Sequence, residues 1–159
     1  MLDVLILCAG RGTRLMPLTI DTPKPLLRLT DQESILSRLV QQVSGRVNSI
    51  YINVSYLAEQ FLVGIPSEIS GRCHFIWEPR VLGSHNTLQY VSKLSSNGIL
   101  VIHGDLVLSN IDVESLIERI NYYSDQSLLV VHRRKENSAR SIVKLDGLAP
   151  VISPIASEK

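Results

Sequence analysis

The stretch LILCAGRGTRLMPLTIDTPKPLL, from Leu5 to Leu27, decides the fold. It opens on an apolar run of strand length, breaks at a turn holding Gly10 and Gly12, and continues with Thr13 and Arg14. In open parallel sheets the loops beyond the carboxyl ends of the strands are where ligands bind, so a buried strand running straight into a glycine turn marks a candidate site. Gly10 and Gly12 have no Cβ, and backbone N–H groups there can approach an anion closely. Thr13 adds a hydroxyl donor, and the planar guanidinium of Arg14 matches the oxygens of a phosphate. Lys24 follows between Pro23 and Pro25, whose rings predict extended conformations for Thr22 and Lys24 and hence a stiff arm for the ammonium. Together these residues read as a cradle for a triphosphate. The two common phosphate loops fit poorly: the third glycine of a dinucleotide fingerprint would fall at Leu15, and no Gly-Lys-Ser/Thr of a P-loop is present.

Outward from this stretch, apolar runs alternate with segments of helical period. Leu2 to Cys8, Ser49 to Val54, His74 to Trp77, Ile99 to His103 and Ser127 to His132 read as buried strands. Between them Ile35, Leu36, Leu39, Val40 and Val43 fall on one helical face, with Thr30 and Glu33 as the expected capping box. Val113, Leu116, Ile117 and Ile120 mark another helix, capped by Asn110 or Asp112, and shorter helical patterns fit Leu57 to Val63 and Thr87 to Leu94. Strand alternating with helix predicts an α/β fold, a mostly parallel sheet with helices on both faces.

The run from Leu5 to Leu27 resembles the signature of the sugar-phosphate nucleotidyltransferases, which join a nucleoside triphosphate to a sugar 1-phosphate and release pyrophosphate. That family also includes choline-phosphate cytidylyltransferases. The resemblance implies a Rossmann-like nucleotidyltransferase fold. It implies that Ala9, Gly10, Gly12, Thr13 and Arg14 wrap the triphosphate and that Arg14 and Lys24 are catalytic, neutralising charge around the reacting phosphoryl group. Cys8 departs from the family, which usually has alanine or another small residue there.

Three further stretches are similar to the family in the right order. INVSYLAEQ, from Ile52 to Gln60, resembles the second-strand segment closed by an asparagine, here Asn53, which reads equally as an ordinary strand exit. WEPRVLG, from Trp77 to Gly83, resembles the segment that reads the nucleobase, with Glu78 facing the base and Gly83 letting it lie close. An ionised carboxylate only accepts hydrogen bonds, so Glu78 in that position favours guanine or cytosine over uracil or thymine. His85 and Asn86 stand where the family has smaller residues, and His85 reads as a loop histidine because no carboxylate adjoins it. In VIHGDLVLS, from Val101 to Ser109, the resemblance makes Asp105 a ligand of Mg²⁺, the expected cofactor, and a carboxylate at a strand end suits such a hard cation.

Lys144 to Gly147 resemble the family's next strand and turn, and Glu158 with Lys159 resembles the start of its sugar-phosphate motif. The resemblance therefore implies one domain, residues 1–159, lacking the C-terminal sugar-binding part, so that the chain is expected to bind nucleotide but by itself to transfer very slowly or not at all. A catalytically silent nucleotide-binding domain and a fragment of a longer enzyme are the alternatives.

Composition agrees with a single core. The 159 residues are 45% apolar, and 16 basic against 15 acidic side chains leave a net charge of +1. That balance offers no footprint for nucleic acid or an anionic membrane, so an anionic ligand must be held locally. No leader or membrane-spanning run is legible, and a cytoplasmic location is expected. Cys8 and Cys73 read as reduced core thiols. Arg133, Arg134 and Lys135 read as a solvated loop. An unpaired sheet edge would offer a route to a homo-oligomer, which the sequence leaves open.

Overall fold

Strand β1 (Leu2–Leu7) forms the spine of the molecule, with every residue but the last fully buried. In the computed structural model, which describes residues 2–65 and 67–122, β1 pairs in parallel with β2 (Ile50–Val54) on one side and with β4 (Gly98–His103) on the other. Strand β3 (Cys73–Trp77) pairs in parallel with β2, giving a four-stranded sheet of order β3-β2-β1-β4. The expected strand Ser127 to His132, the basic run at Arg133 to Lys135 and the stretch Lys144 to Gly147 lie outside the described residues.

The alternation of side chains along β1 divides the core. Val4 and Ile6 join Ile50, Ile52, Leu100 and Ile102 beneath helices α1 (Ile35–Ser44) and α4 (Asn110–Tyr122), which contribute Leu36, Leu39, Val40, Val43, Val113 and Ile117. Leu5 packs on the opposite face with Tyr51 and with Val91 of α3 (Ser84–Leu94). Helices thus cover both faces, as the alternating pattern predicts. A four-residue helix, α2 (Ser67–Ser70), precedes β3.

Local chemistry sets the helix starts differently from the expected caps. The α1 capping box is Ser34 with Ser37: Ser37 N donates to Ser34 Oγ at 3.1 Å, and Ser34 N donates to Ser37 Oγ at 2.8 Å. Thr30 and Glu33 instead close a turn through paired backbone bonds of 3.2 and 3.4 Å, and Arg28 bridges Ser34 across it. That turn uses the backbone groups that a cap at Thr30 would need. At α4 the cap is Ser109, whose Oγ accepts from Asp112 N at 3.2 Å while Asp112 Oδ2 accepts from Ser109 N. Helix α3 begins at Ser84 rather than Thr87, because Gly83, at φ 85°, turns the chain directly into it.

Chain order runs β1, β2, β3 outward and returns to place β4 on the other side of β1. The strand order reverses between β1 and β4, which is where a parallel sheet opens a crevice at its carboxyl end. At the opposite end Asp3 is buried, accepting from Ser49 N at 3.0 Å and from Ser95 Oγ at 2.6 Å. It pins the loops that enter β2 and β4 and takes no part in the crevice.

Candidate nucleotide site

The loop after β1 is held from three directions. Gly12 lies in the left-handed region at φ 66°, and a Cβ there would meet Thr19 Cγ2 at 3.1 Å and Lys24 Cβ at 3.2 Å, so only glycine fits comfortably. Thr19, fully buried, donates to Gly12 O at 3.0 Å and folds the loop back on itself. The segment after β2 braces the outer part: Tyr56 Oη donates to Ile20 O, Gln60 Nε2 donates to Asp21 O at 2.9 Å, and the Arg11 guanidinium lies over the Tyr56 ring.

Lys24 differs from the extended arm expected of it. It opens a one-turn 3-10 helix, Lys24–Leu26, closed by Leu26 N to Pro23 O at 2.9 Å and Leu27 N to Lys24 O at 3.1 Å. Burial of Pro25 and these two bonds outweigh the usual preference of a residue before proline. The backbone is still fixed, and the ammonium projects across the crevice to Asp105, where Nζ lies 2.6 Å from Oδ2.

Asp105 is fixed by its neighbour. Gly104 N donates to Leu7 O at 3.0 Å, and a Cβ on Gly104 would sit 2.4 Å from Cys8 Sγ. Glycine at 104 is therefore the counterpart of the thiol that stands at position 8. Burial, and then the nearby Asp105 carboxylate, push the Cys8 thiol far above its ordinary range, so it is an inert protonated filler. The hydrogen bond from Lys24 holds the Asp105 carboxyl below its usual range against partial burial, with the charges of Lys24 and His103 adding to the effect.

A cavity of about 350 Å³ lies between the β1 and β4 exits, large enough for a small-molecule ligand. Of the nominated residues, Ala9, Gly10, Gly12, Arg14, Lys24, Gly83 and Asp105 line it. Thr13 stands in the same 3-10 turn as Arg14 but is not part of the lining. Glu158 and Lys159 lie outside the described residues. The start of α3 reaches the cavity at Gly83 and Ser84 without a side-chain cap, so its N-terminal dipole faces the opening. His85 and Asn86 ride on the first turn of that helix, outside the lining, which answers their bulk.

Glu78 lies outside the lining of this cavity. It is 1% exposed, and its carboxylate accepts from Asn53 Nδ2 at 3.0 Å, Thr87 Oγ1 at 2.6 Å and Leu82 N at 2.9 Å. Asn53 in turn accepts from Cys8 N at 2.7 Å through Oδ1. A buried chain of hydrogen bonds therefore ties the exits of β1, β2 and β3 to α3. The expectation of guanine or cytosine drawn from Glu78 loses its basis, because a buried carboxylate must satisfy its acceptors locally.

His103 was not singled out in the sequence, yet it lines the cavity at the end of β4. The signal was its place two residues before Asp105 at the same strand exit.

Asp105 is the only nominated metal ligand in the cavity, and no group of three or more His, Cys, Asp or Glu among the described residues could enclose an ion. A single carboxylate with a cation already against it fits an ion that takes most of its ligands from phosphate and water, as Mg²⁺ does, and does not fit a protein-caged metal. No described helix is long and apolar enough to cross a membrane.

Comparison with known proteins identifies the family. The family model described as nucleotidyl transferase matches residues 3–153. The bifunctional protein GlmU of Methanococcus maripaludis is 28% identical over 127 residues, covering 80% of this chain and 29% of its own length. The mannose-1-phosphate guanylyltransferase catalytic subunit beta of Drosophila melanogaster is 29% identical over 148 residues, covering 89% of this chain and 40% of its own. The structure of a CTP:phosphocholine cytidylyltransferase from Streptococcus pneumoniae superposes with a TM-score of 0.57 at 28% identity, covering 69% of this chain and 48% of that one. The chain thus spans less than half the length of each of these relatives.

Proposed function

The chain belongs to the nucleotidyl transferase family, and on that premise we propose that it binds a nucleoside triphosphate between the β1 and β4 exits and transfers its nucleotidyl group to a sugar 1-phosphate. The observation that carries this reading is convergence: Gly10, Gly12, Arg14, Lys24 and Asp105 line one cavity, although Lys24 and Asp105 are 81 residues apart in sequence. The sugar 1-phosphate is favoured by the guanylyltransferase relative, whose name states such an acceptor. We place the reaction in the cytoplasm, as expected of soluble sugar-nucleotide synthesis.

The reaction is an in-line displacement. A phosphate oxygen of the acceptor attacks the α-phosphorus, a new P–O bond forms as the bond to the β-phosphate bridging oxygen breaks, and pyrophosphate leaves with the electron pair. The acceptor oxygen is already anionic at neutral pH, so no general base is required. Loop amides at Gly10 and Gly12 orient the phosphates, and Arg14 and Lys24 offset charge that builds in the transition state. Asp105 would hold Mg²⁺, which when bound shields the triphosphate and the departing pyrophosphate. The uncapped start of α3 adds a favourable dipole.

The test joins binding to turnover. Calorimetry with ATP, GTP, CTP, UTP and dTTP, with and without Mg²⁺, should reveal at least one that binds. Pyrophosphate release over a panel of sugar 1-phosphates, with phosphocholine included, should then identify the acceptor. Binding of none of the triphosphates would overturn the reading, and binding without release would favour a silent nucleotide-binding domain.

A further inference from the structure

We propose that Lys24 acts as a resident cation at Asp105, so that a divalent metal enters only when a triphosphate draws the ammonium away. This rests on the functional reading above and extends it to the way the site fills.

The two partners are unequally free. Asp105 follows Gly104, whose N donates to Leu7 O at 3.0 Å and which has no room for a Cβ beside Cys8 Sγ, so the turn that carries the carboxylate is closely held. Lys24 has a fixed backbone but a flexible four-carbon stem, and its side chain is 28% exposed, leaving room for the ammonium to swing. The carboxylate is 39% exposed, so solvent and ions reach it. Nζ stands 2.6 Å from Oδ2, inside the space a metal bound to that oxygen needs. A metal arriving alone must displace this ammonium or share one carboxylate with it against direct repulsion.

A triphosphate changes the balance. Seated on the Gly10 and Gly12 amides beside Arg14, it brings several negative charges into the cavity that Lys24 already lines. Lys24 then gains a stronger partner, and Asp105 loses its counter-ion next to phosphate oxygens. Metal affinity rises at that moment, and coupling of this kind commonly amounts to about 5- to 150-fold.

Mn²⁺ alone is the probe, its free concentration read by electron paramagnetic resonance without nucleotide. Lys24→Met should bind Mn²⁺ about 5- to 50-fold more tightly than wild type, and Lys24→Met combined with Asp105→Asn should lose that gain. Arg14→Met removes the same charge from the same cavity but leaves the ion pair, and should change Mn²⁺ affinity less than about 2-fold. Equal gains in Lys24→Met and Arg14→Met would reduce the effect to the general field of the cavity and overturn the proposal. So would an unchanged Mn²⁺ affinity in a Lys24→Met protein whose circular dichroism is that of wild type. A second measurement needs no Lys24 variant: in chelator, Asp105→Asn should bind the metal-free triphosphate several-fold more tightly, because Lys24 is released to it, and weaker or unchanged binding would count against the gate. Failure of wild type to bind any triphosphate defeats the functional reading, whereas the Mn²⁺ arm judges the ion pair by itself.

Discussion

Lys24 Nζ donates to Asp105 Oδ2 at 2.6 Å, so the loop leaving β1 and the turn leaving β4 close on each other across the crevice through one ion pair. Its strength follows from its setting. Both side chains are partly exposed, and pairs of this kind contribute only about 0.2–1 kcal/mol to stability. The pair matters for the charge it presents to a ligand, not for holding the fold.

That setting predicts a pH signature. The Asp105 carboxyl titrates below its unfolded value, chiefly through the hydrogen bond from Lys24. Its stabilisation is therefore present above the unfolded pKa and lost as pH falls through the lowered folded pKa. Asp105→Asn should melt slightly below wild type at about pH 7, and the difference should shrink as pH falls below the unfolded carboxylate value of about 3.9. Thermal melts across that window decide it, and a gap that persists in acid would assign the stabilisation to something other than this charge.

Arg14 is exposed at the cavity. Arg14→Ala should leave unfolding free energy within about 0.5 kcal/mol of wild type. Triphosphate binding should fall by about 10- to 100-fold, the usual cost of losing a charge-assisted hydrogen bond. Calorimetry beside urea unfolding separates the two effects, and unaltered affinity would remove Arg14 from the cradle.

Glu78 should behave in the opposite way. Removing its carboxylate takes the acceptor from buried Asn53 Nδ2 and from Leu82 N, and leaves Thr87 Oγ1 only Gly83 O. Glu78→Ala should destabilise by about 2–4 kcal/mol, and Glu78→Gln by less, since it keeps one acceptor oxygen but turns an NH₂ toward a donor. A Glu78→Gln protein of wild-type stability with an altered nucleotide preference would restore the residue to base reading.

Gly104 and Cys8 should be energetically coupled. Gly104→Ala places a methyl 2.4 Å from Cys8 Sγ and 3.0 Å from Leu7 O, and overpacking of this kind costs about 1–3 kcal/mol. Cys8→Ala removes the first clash and should recover part of that loss, while the contact with the Leu7 carbonyl remains. A double-mutant cycle from urea unfolding should give a favourable coupling above about 0.5 kcal/mol, and strict additivity would show that Cys8 does not set the size of residue 104.

The sequence by itself determined the α/β alternation and the place of the glycine loop after β1. Apolar period and glycine position act within a few residues, and those local constraints fix strands, helices and the turn after β1 wherever the chain packs. It also marked Gly10 and Gly12, whose backbone no Cβ screens, and Arg14, Lys24 and Asp105, whose charges suit a phosphate ligand on any backbone that brings them together. Tertiary structure alone decided the rest. Thr30 and Ser34 both offer a hydroxyl near the start of α1, and only the turn bridging Arg28 to Ser34 selects the second. Glu78 reads the same in sequence whether its carboxylate is open or buried, and it is the packing of β3 and α3 around Asn53 that buries it. The meeting of Lys24 with Asp105, and of His103 with both in one cavity, depends on β4 crossing back beside β1. Strand order is set by how whole faces bury against one another, a free energy summed over the core that no local stretch of sequence contains.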